Sequence, residues 1–449
     1  MSTSEKPFAK FLTGSTMRHV INMTASSSVG LVAIFVVDAI SLFYIAQLGR
    51  ADLTAAVGYS STILFFTLSL CIGLSVAAST LTAQALGRGD RTAAQQTAST
   101  SLVIVLGAST LLAILMFPFV GELTRLLGAT GIAADEATVF MHIVLPSVPL
   151  LGLGICLSGL LRAVGDAKRS MWVTLFPALS LIVLDPVFIF GLKLDIRGAA
   201  IAIILARCVM VWVGWRSLNK IHGLLLRPNQ ETILRLLKPF LAIGIPAVLT
   251  QIATPFANAF VTKSMAQFGD DAVAGWAIVS RLTPMAFGVI FALSASVGPI
   301  IGQNFGAKNF GRVRSTLNDS LKVSLLYCVM ICIVLAVLAQ PIAHIFDAKG
   351  QAFDVVVFFC TFVAASFIFN GMMFVSNAVF NSLGFAFYST LLNWGRSTLG
   401  VIPFVWLGAH WYGAKGVMAG FGLGAVFSGL IAITLCYRVV NKIAARTPL

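Results

Sequence analysis

The chain of 449 residues is short of charge: 10% of it is Asp, Glu, Lys or Arg, against 58% hydrophobic residues, and only 16 residues are acidic. A soluble domain carries about 25% charged residues, so a soluble globular class is excluded. Alternating ten-residue segments are absent, which excludes a membrane β-barrel. The five histidines (19, 142, 222, 344, 410) are scattered. With no clustered His/Asp, no Ser–Lys pair and no metal-spaced histidines in the apolar runs, a membrane-embedded acyltransferase or protease is excluded, and the chain is read as a non-enzyme. No loop carries a pair of cysteines, so no disulfide framework is implied. The seven cysteines (71, 156, 208, 328, 332, 360, 436) fall in or beside apolar runs and read as small apolar side chains, Cys328 and Cys332 included. The opening MSTSEKPFAKFLTGSTMRHV has no short apolar core or small-residue cleavage site and reads as a basic, amphipathic entry helix on the cytoplasmic surface.

What is present is a series of apolar runs long enough to cross ~30 Å of hydrocarbon. Mean hydropathy is +0.95. The runs predict an all-α integral membrane protein with twelve spans, near 20–48, 53–85, 97–119, 138–163, 170–191, 198–218, 239–267, 272–304, 317–340, 352–382, 387–408 and 416–437. Net charge is +14, yet no basic patch interleaved with aromatics sits on a soluble-sized segment, so a nucleic-acid partner is rejected. The basic residues lie in short connections instead. One set of connections, with both ends of the chain, holds nineteen Lys and Arg; the other holds six (Arg50, Arg125, Lys193, Arg197, Lys349, Lys415). The positive-inside rule then predicts both termini in the cytoplasm of a bacterial inner membrane.

The two halves repeat. AQLG at 46–49 returns as AQFG at 266–269, and LSVAASTLTAQALG at 74–87 returns as LSASVGPIIGQNFG at 293–306. Each half has six spans, an even number, so both start on the same side. Two six-helix bundles related by a pseudo-two-fold along the membrane normal follow. The expected division is a bundle at 1–218, a basic cytoplasmic linker at 219–238 and a second bundle at 239–449.

Two carboxylates stand inside the runs: Asp38 in LVAIFVVDAISLFYIAQLG and Asp185 in SLIVLDPVFIF. An acid at the centre of a spanning helix costs about 2.5–3.5 kcal/mol on insertion scales, and such groups mark ion pathways by default. A repeat offset of 220 sets Asn258 opposite Asp38, and an offset of 219 sets Phe404 opposite Asp185, so the second half is neutral at both places. Taking up a proton removes the cost of a carboxylate out of water, so acids that load from one side and release on the other can drive a transport cycle. Pro186 leaves the Ile182 carbonyl without its helical donor and bends the span beside Asp185. Arg207, Arg396, His142 and Ser180 are the other polar residues considered for the cavity or its support.

These residues carry a pattern. VVDAISLFYIAQLGRADLTAAVG, the paired QALGRGD and QNFGAKN, and LDPVFIFGL followed by RGAAIA resemble the multidrug and toxic compound extrusion (MATE) family, over essentially the whole chain. The resemblance implies alternating-access export of cationic or amphipathic organic compounds against H⁺ or Na⁺, by a monomer in contact with membrane lipid and without a cofactor. Acids in spans one and five, here Asp38 and Asp185, resemble the cation site of the proton-coupled DinF-like branch. The NorM-like branch adds acids in spans seven and ten, which this chain lacks at depth. Leu181 stands where family members often carry Asn, and the proline common early in span one is missing, so the site is poor in oxygen ligands and suits a proton better than Na⁺. The alternatives are Na⁺-coupled efflux and a flippase for a lipid-linked precursor.

Overall fold

A computed structural model describes residues 9–446. It is helical throughout, with no β-strand among the described residues. The spans are α1 (Thr16–Ala46), α2 (Asp52–Gly87), α3 (Arg91–Leu126), α4 (Gly131–Ala163), α5 (Ala167–Gly191), α6 (Asp195–Ile221), α7 (Gln230–Ala266), α8 (Asp270–Gly306) and α9 (Phe310–Val337). Next comes α10, in two pieces, Gly350–Thr361 and Val363–Ser382. The last helical run, Ala386–Ala445, is interrupted at Tyr412 and Gly413, where φ of Gly413 is 60°. That break gives α11 (386–412) and α12 (414–445), so the described residues hold the twelve spans expected. Several exceed the roughly 20 residues a bilayer needs; α7 has 37.

Starts and stops follow local chemistry. Asp90 caps α3, its carboxylate accepting from the Ala93 amide at 2.8 Å, and Asn309 caps α9 in the same way, accepting from Arg312 at 3.2 Å. An N-cap of this kind satisfies an amide the helix itself cannot, for about 1 kcal/mol. These two caps are 219 residues apart, and the same spacing returns inside the halves. Ser75 on α2 donates to the Ile155 carbonyl on α4 at 3.0 Å; Ser294 on α8 donates to the Phe374 carbonyl on α10 at 3.0 Å. The repeat is thus present in individual hydrogen bonds as well as in sequence.

The chain forms two compact units. One holds Val29–Val248 with the described residues up to Lys10; the other holds Phe11–Ser28 and the chain from Leu249 on. The division falls inside α1 and inside α7. Irregular backbone between the halves is short, 222–229, because α6 runs on to Ile221 in a wide final turn and α7 begins at Gln230.

Without a strong hydrophobic drive inside lipid, helices associate by close packing and polar contact, and small residues set the distance. In the first unit a Cβ at Gly73 would come within 2.5 Å of the Val248 amide, so only glycine lets α7 lie this close to α2. The first unit's core gathers Leu53, Ile63, Phe140, Met141 and Ile189. In the second, Phe287 stacks on Phe367 with ring centres 4.1 Å apart, inside a cluster that includes Trp276, Phe359 and Phe421.

Candidate functional site

α1 and α5 run parallel and touch at three levels. Gly30 packs against Thr174, where any side chain would collide with the threonine hydroxyl. Further along, the Ser41 hydroxyl donates to the Asp185 carboxylate. Beyond that, Tyr44 meets Phe190 edge to face at 6.2 Å. Asp38 lies three residues before Ser41, so both sit on one face of α1 a single turn apart. Asp185 is almost wholly buried, at 1% exposure, and close enough to act electrostatically on Asp38, which is exposed at the protein surface. The structure therefore brings the two sequence-picked acids to one helix pair and adds Ser41, which the sequence reading did not single out. Its signal was available: Ser41 is the nearest hydroxyl one turn from Asp38.

The local backbone explains the placement of Asp185. Pro186 has no amide to give the Ile182 carbonyl, and immediately after it the helix widens into a π-turn at Val187–Gly191. Such turns occur often at functional sites. Asp185 closes the regular part of α5, and the break follows at once.

The other candidates lie elsewhere. Ser180 turns back to the Pro177 carbonyl at 2.7 Å and lines an apolar groove with Phe176, Leu179, Val209, Trp212 and Val213. His142 bonds through Nε2 to the Phe117 carbonyl at 3.2 Å, with the Phe117 ring 4.6 Å away. Arg207 serves a helix break. The Val148 amide turns to the Leu145 carbonyl in the tight Leu145–Ser147 turn, which takes from the Val144 carbonyl its usual donor. Ser147 Oγ and Arg207 both donate to that carbonyl, at 2.7 and 3.3 Å, and Arg207 also donates to Ser147 Oγ at 2.7 Å. Asn258 is half-buried on α7, its carbonyl accepting from Thr262 at 2.9 Å.

No group of three or more His, Cys, Asp or Glu that could hold a metal occurs among the described residues. Cys328 is buried and donates weakly to the Phe367 carbonyl at 3.5 Å, while Cys208 is exposed.

Outside the spans, Asp166 caps α5, accepting from the Arg169 amide at 3.1 Å, and receives His222 Nε2 at 2.9 Å. Burial alone would push this carboxyl up, but the bonds from His222 and Arg169 hold it far below the usual carboxylate range. The linkage fixes the end of α6 to the start of α5.

Twelve helices in a repeated six-span arrangement, with an ionisable pair inside one repeat, define a multi-pass membrane transporter. The MatE family model matches residues 27–187 and 246–407, one stretch in each half, and the chain belongs to that family. MATE members are transporters, not enzymes. Among curated relatives, the chain is 27% identical over 436 residues to the FAD transporter of Shewanella oneidensis, covering 96% of both chains. It is 23% identical over 445 residues to the multidrug export protein MepA of Staphylococcus haemolyticus, again covering 96% of each. Among solved structures it is similar to a mutant of the Vibrio cholerae MATE transporter VcmN, with 25% identity, a TM-score of 0.90, and 95% of this chain and 97% of that one covered.

Proposed function

We propose that this protein is a proton-coupled antiporter that exports organic compounds across a bacterial inner membrane, with Asp38 and Asp185 as the coupling groups and both termini cytoplasmic. The observation that carries the reading is the Asp38–Ser41–Asp185 arrangement on α1 and α5. An acid on the open face of α1, one helical turn from a buried, hydrogen-bonded one, can take up a proton and pass its electrostatic effect to the buried group. A neutral donor such as Ser41 keeps Asp185 in place in either protonation state. Loading the pair changes the charge buried between two helices, and such a change can bias an alternating-access equilibrium. Two carboxylates and one hydroxyl, with Leu181 in place of an amide, are few oxygens for Na⁺, which favours H⁺ as the coupling ion. A flippase reading has no supporting observation.

The exported compounds are small organic molecules, in keeping with the relative named for multidrug export. A second reading, export of a flavin nucleotide, is favoured by one finding: the relative named as an FAD transporter has the higher identity of the two, 27% against 23%.

The test is drug-induced proton release from purified protein and pH-gradient-driven efflux of ethidium from proteoliposomes, for the wild type and Asp38→Asn. The expected result is that the variant inserts normally and loses both signals. Normal proton-linked efflux by the variant would refute the coupling assignment.

A further inference from the structure

The second half contains the counterpart of the α1/α5 pair, and its polar content is inverted. α7 and α11 touch as α1 and α5 do. Ser397 on α11 donates to the Ala253 carbonyl on α7 at 2.8 Å, and the two residues are 144 apart, the same separation as Ser41 and Asp185. Trp394 Nε1 donates to the Leu249 carbonyl at 3.1 Å one turn earlier. Where the first pair buries an acid, this one buries a base, Arg396, at 6% exposure.

Arg396 is poorly matched by its surroundings. Its guanidinium reaches Thr254 Oγ1 on α7 at 3.3 Å and Asn370 Oδ1 on α10 at 3.5 Å, and its Nε has no hydrogen-bond partner among the described residues. Both contacts are long and both acceptors are neutral. Arg207, by comparison, makes a 2.7 Å bond and caps a broken helix, so its place is explained by the fold. A buried guanidinium without a carboxylate is costly unless carbonyls and hydroxyls satisfy its donors, as they do at Arg207, whereas Arg396 keeps a donor to spare. The side chain also springs from a π-turn, Arg396–Gly400, which lies nearer the start of its span than the π-turn Val187–Gly191 does in α5. Asn258, which takes the place of Asp38 in the repeat, lies one turn from Thr254 on α7, so this helix face is polar but has no acid to neutralise the arginine.

We infer that Arg396, with Thr254 and Asn370, forms a subsite for an oxyanion carried by the exported compound, a phosphate or carboxylate. A planar fork of N–H donors fits two oxygens of such a group. Thr254 is only half-buried, which leaves the edge of the subsite open on the α7 side. The protein then has acids for protons in one half and a base for substrate anions in the other, and it discriminates compounds by an acidic group as well as by shape. This inference rests on the export reading and narrows its substrate class.

The test uses flavins that share a ring system and differ in phosphate: riboflavin has none, FMN has one. Binding to purified full-length protein is read from flavin fluorescence. Ethidium efflux in proteoliposomes reports independently on whether the protein exports, so failure of that reading is distinguishable. The expected result is tighter binding of FMN than riboflavin by wild type. Arg396→Gln should weaken FMN at least tenfold while riboflavin binding and ethidium efflux stay within twofold. Arg396→Lys keeps the charge but loses the fork, and should weaken FMN by a smaller factor; it also covers the case in which the glutamine variant does not fold. Wild type that binds neither flavin, or both equally, overturns the inference. So does an Arg396→Gln variant that keeps the FMN preference, or variants that lose all three signals together with thermal stability, since arginine would then be holding α7, α10 and α11 together and nothing more.

Discussion

The Ser41 hydroxyl on α1 donates to the carboxylate of Asp185 on α5, one helical turn beyond Asp38. This bond joins the exposed acid to the buried one through two neighbouring positions of a single helix. Removing it leaves a buried carboxylate short of a donor, a change worth about 1–3 kcal/mol. Ser41→Ala should therefore cut pH-gradient-driven ethidium efflux several-fold without reducing the amount of protein in the membrane. Ser41→Thr keeps a hydroxyl and should retain most of the rate. Efflux from everted vesicles at matched expression checks both, and an alanine variant with wild-type rate would remove Ser41 from the proposed coupling site.

Gly30 sets how closely α1 approaches α5 above that site. A methyl group there collides with the Thr174 hydroxyl, itself bonded to the Met171 carbonyl at 2.8 Å. Gly→Ala within a helix is worth about 0.5–1 kcal/mol of stability by itself, whereas overpacking costs about 1–3 kcal/mol. The second effect wins, so Gly30→Ala should lower thermal stability. Removing the obstructing hydroxyl with Thr174→Ala leaves the propensity gain, and the double variant should be more stable than Thr174→Ala alone. Thermal melts of the four proteins form a double-mutant cycle, and additive effects would show that the helices do not meet there.

Much of this was legible in the sequence, and the reasons are physical. Spans are written in residue type because lipid excludes charge over about 20 positions, so all twelve expected runs have a helix. Asp38 and Asp185 stood out for the same reason. Pro186 announced a local break. What the sequence did not show depends on facing. Periodicity could not tell that Ser180 points to a groove beside α6, that His142 turns to Phe117, or that Arg207 is engaged by the break at Leu145–Ser147. The tight turn at Val363–Ser366 in α10 carries no proline, unlike its counterpart in α4, so nothing local predicted it. The division of α1 at Ser28 and of α7 at Val248 was hidden too, because neither helix changes composition at the point where its packing partners change.

Asp166 gives a pH prediction outside the membrane. Its carboxyl is held below the usual range by His222 and Arg169, so ionisation favours the folded state. For a depressed acid the contribution is complete above the unfolded value of about 4 and is lost as pH falls through the lower folded value. Asp166→Asn should therefore lower the melting temperature at pH 7, by roughly the 1 kcal/mol of a helix cap plus its share of the His222 contact. The gap between the proteins should hold from pH 7 down to about pH 5 and narrow as the pH falls below about 4. Melts from about pH 5 downward decide it, and a gap that fails to narrow below about pH 4 would contradict the assignment.

Arg207 provides the contrast with Arg396. Its bonds go to Ser147 and to the Val144 carbonyl, which keeps Ser147 as a donor when the arginine is gone. Replacement by an apolar side chain of similar length removes a charge-assisted bond worth about 1.5–3 kcal/mol, but it also removes the cost of burying the charge, so the two effects offset. Arg207→Met should then shift thermal stability by about 1 kcal/mol or less, while Arg207→Ala, which adds a cavity to the same loss, should cost about 2–4 kcal/mol. Neither should alter which compounds compete for efflux, because the side chain acts on the α4 break and not on cargo. Competition assays on the methionine variant separate the two roles: a changed order of competing compounds would move Arg207 from the scaffold to the transport path, while an unchanged order beside a changed one for Arg396→Gln would leave a single buried arginine reading the substrate.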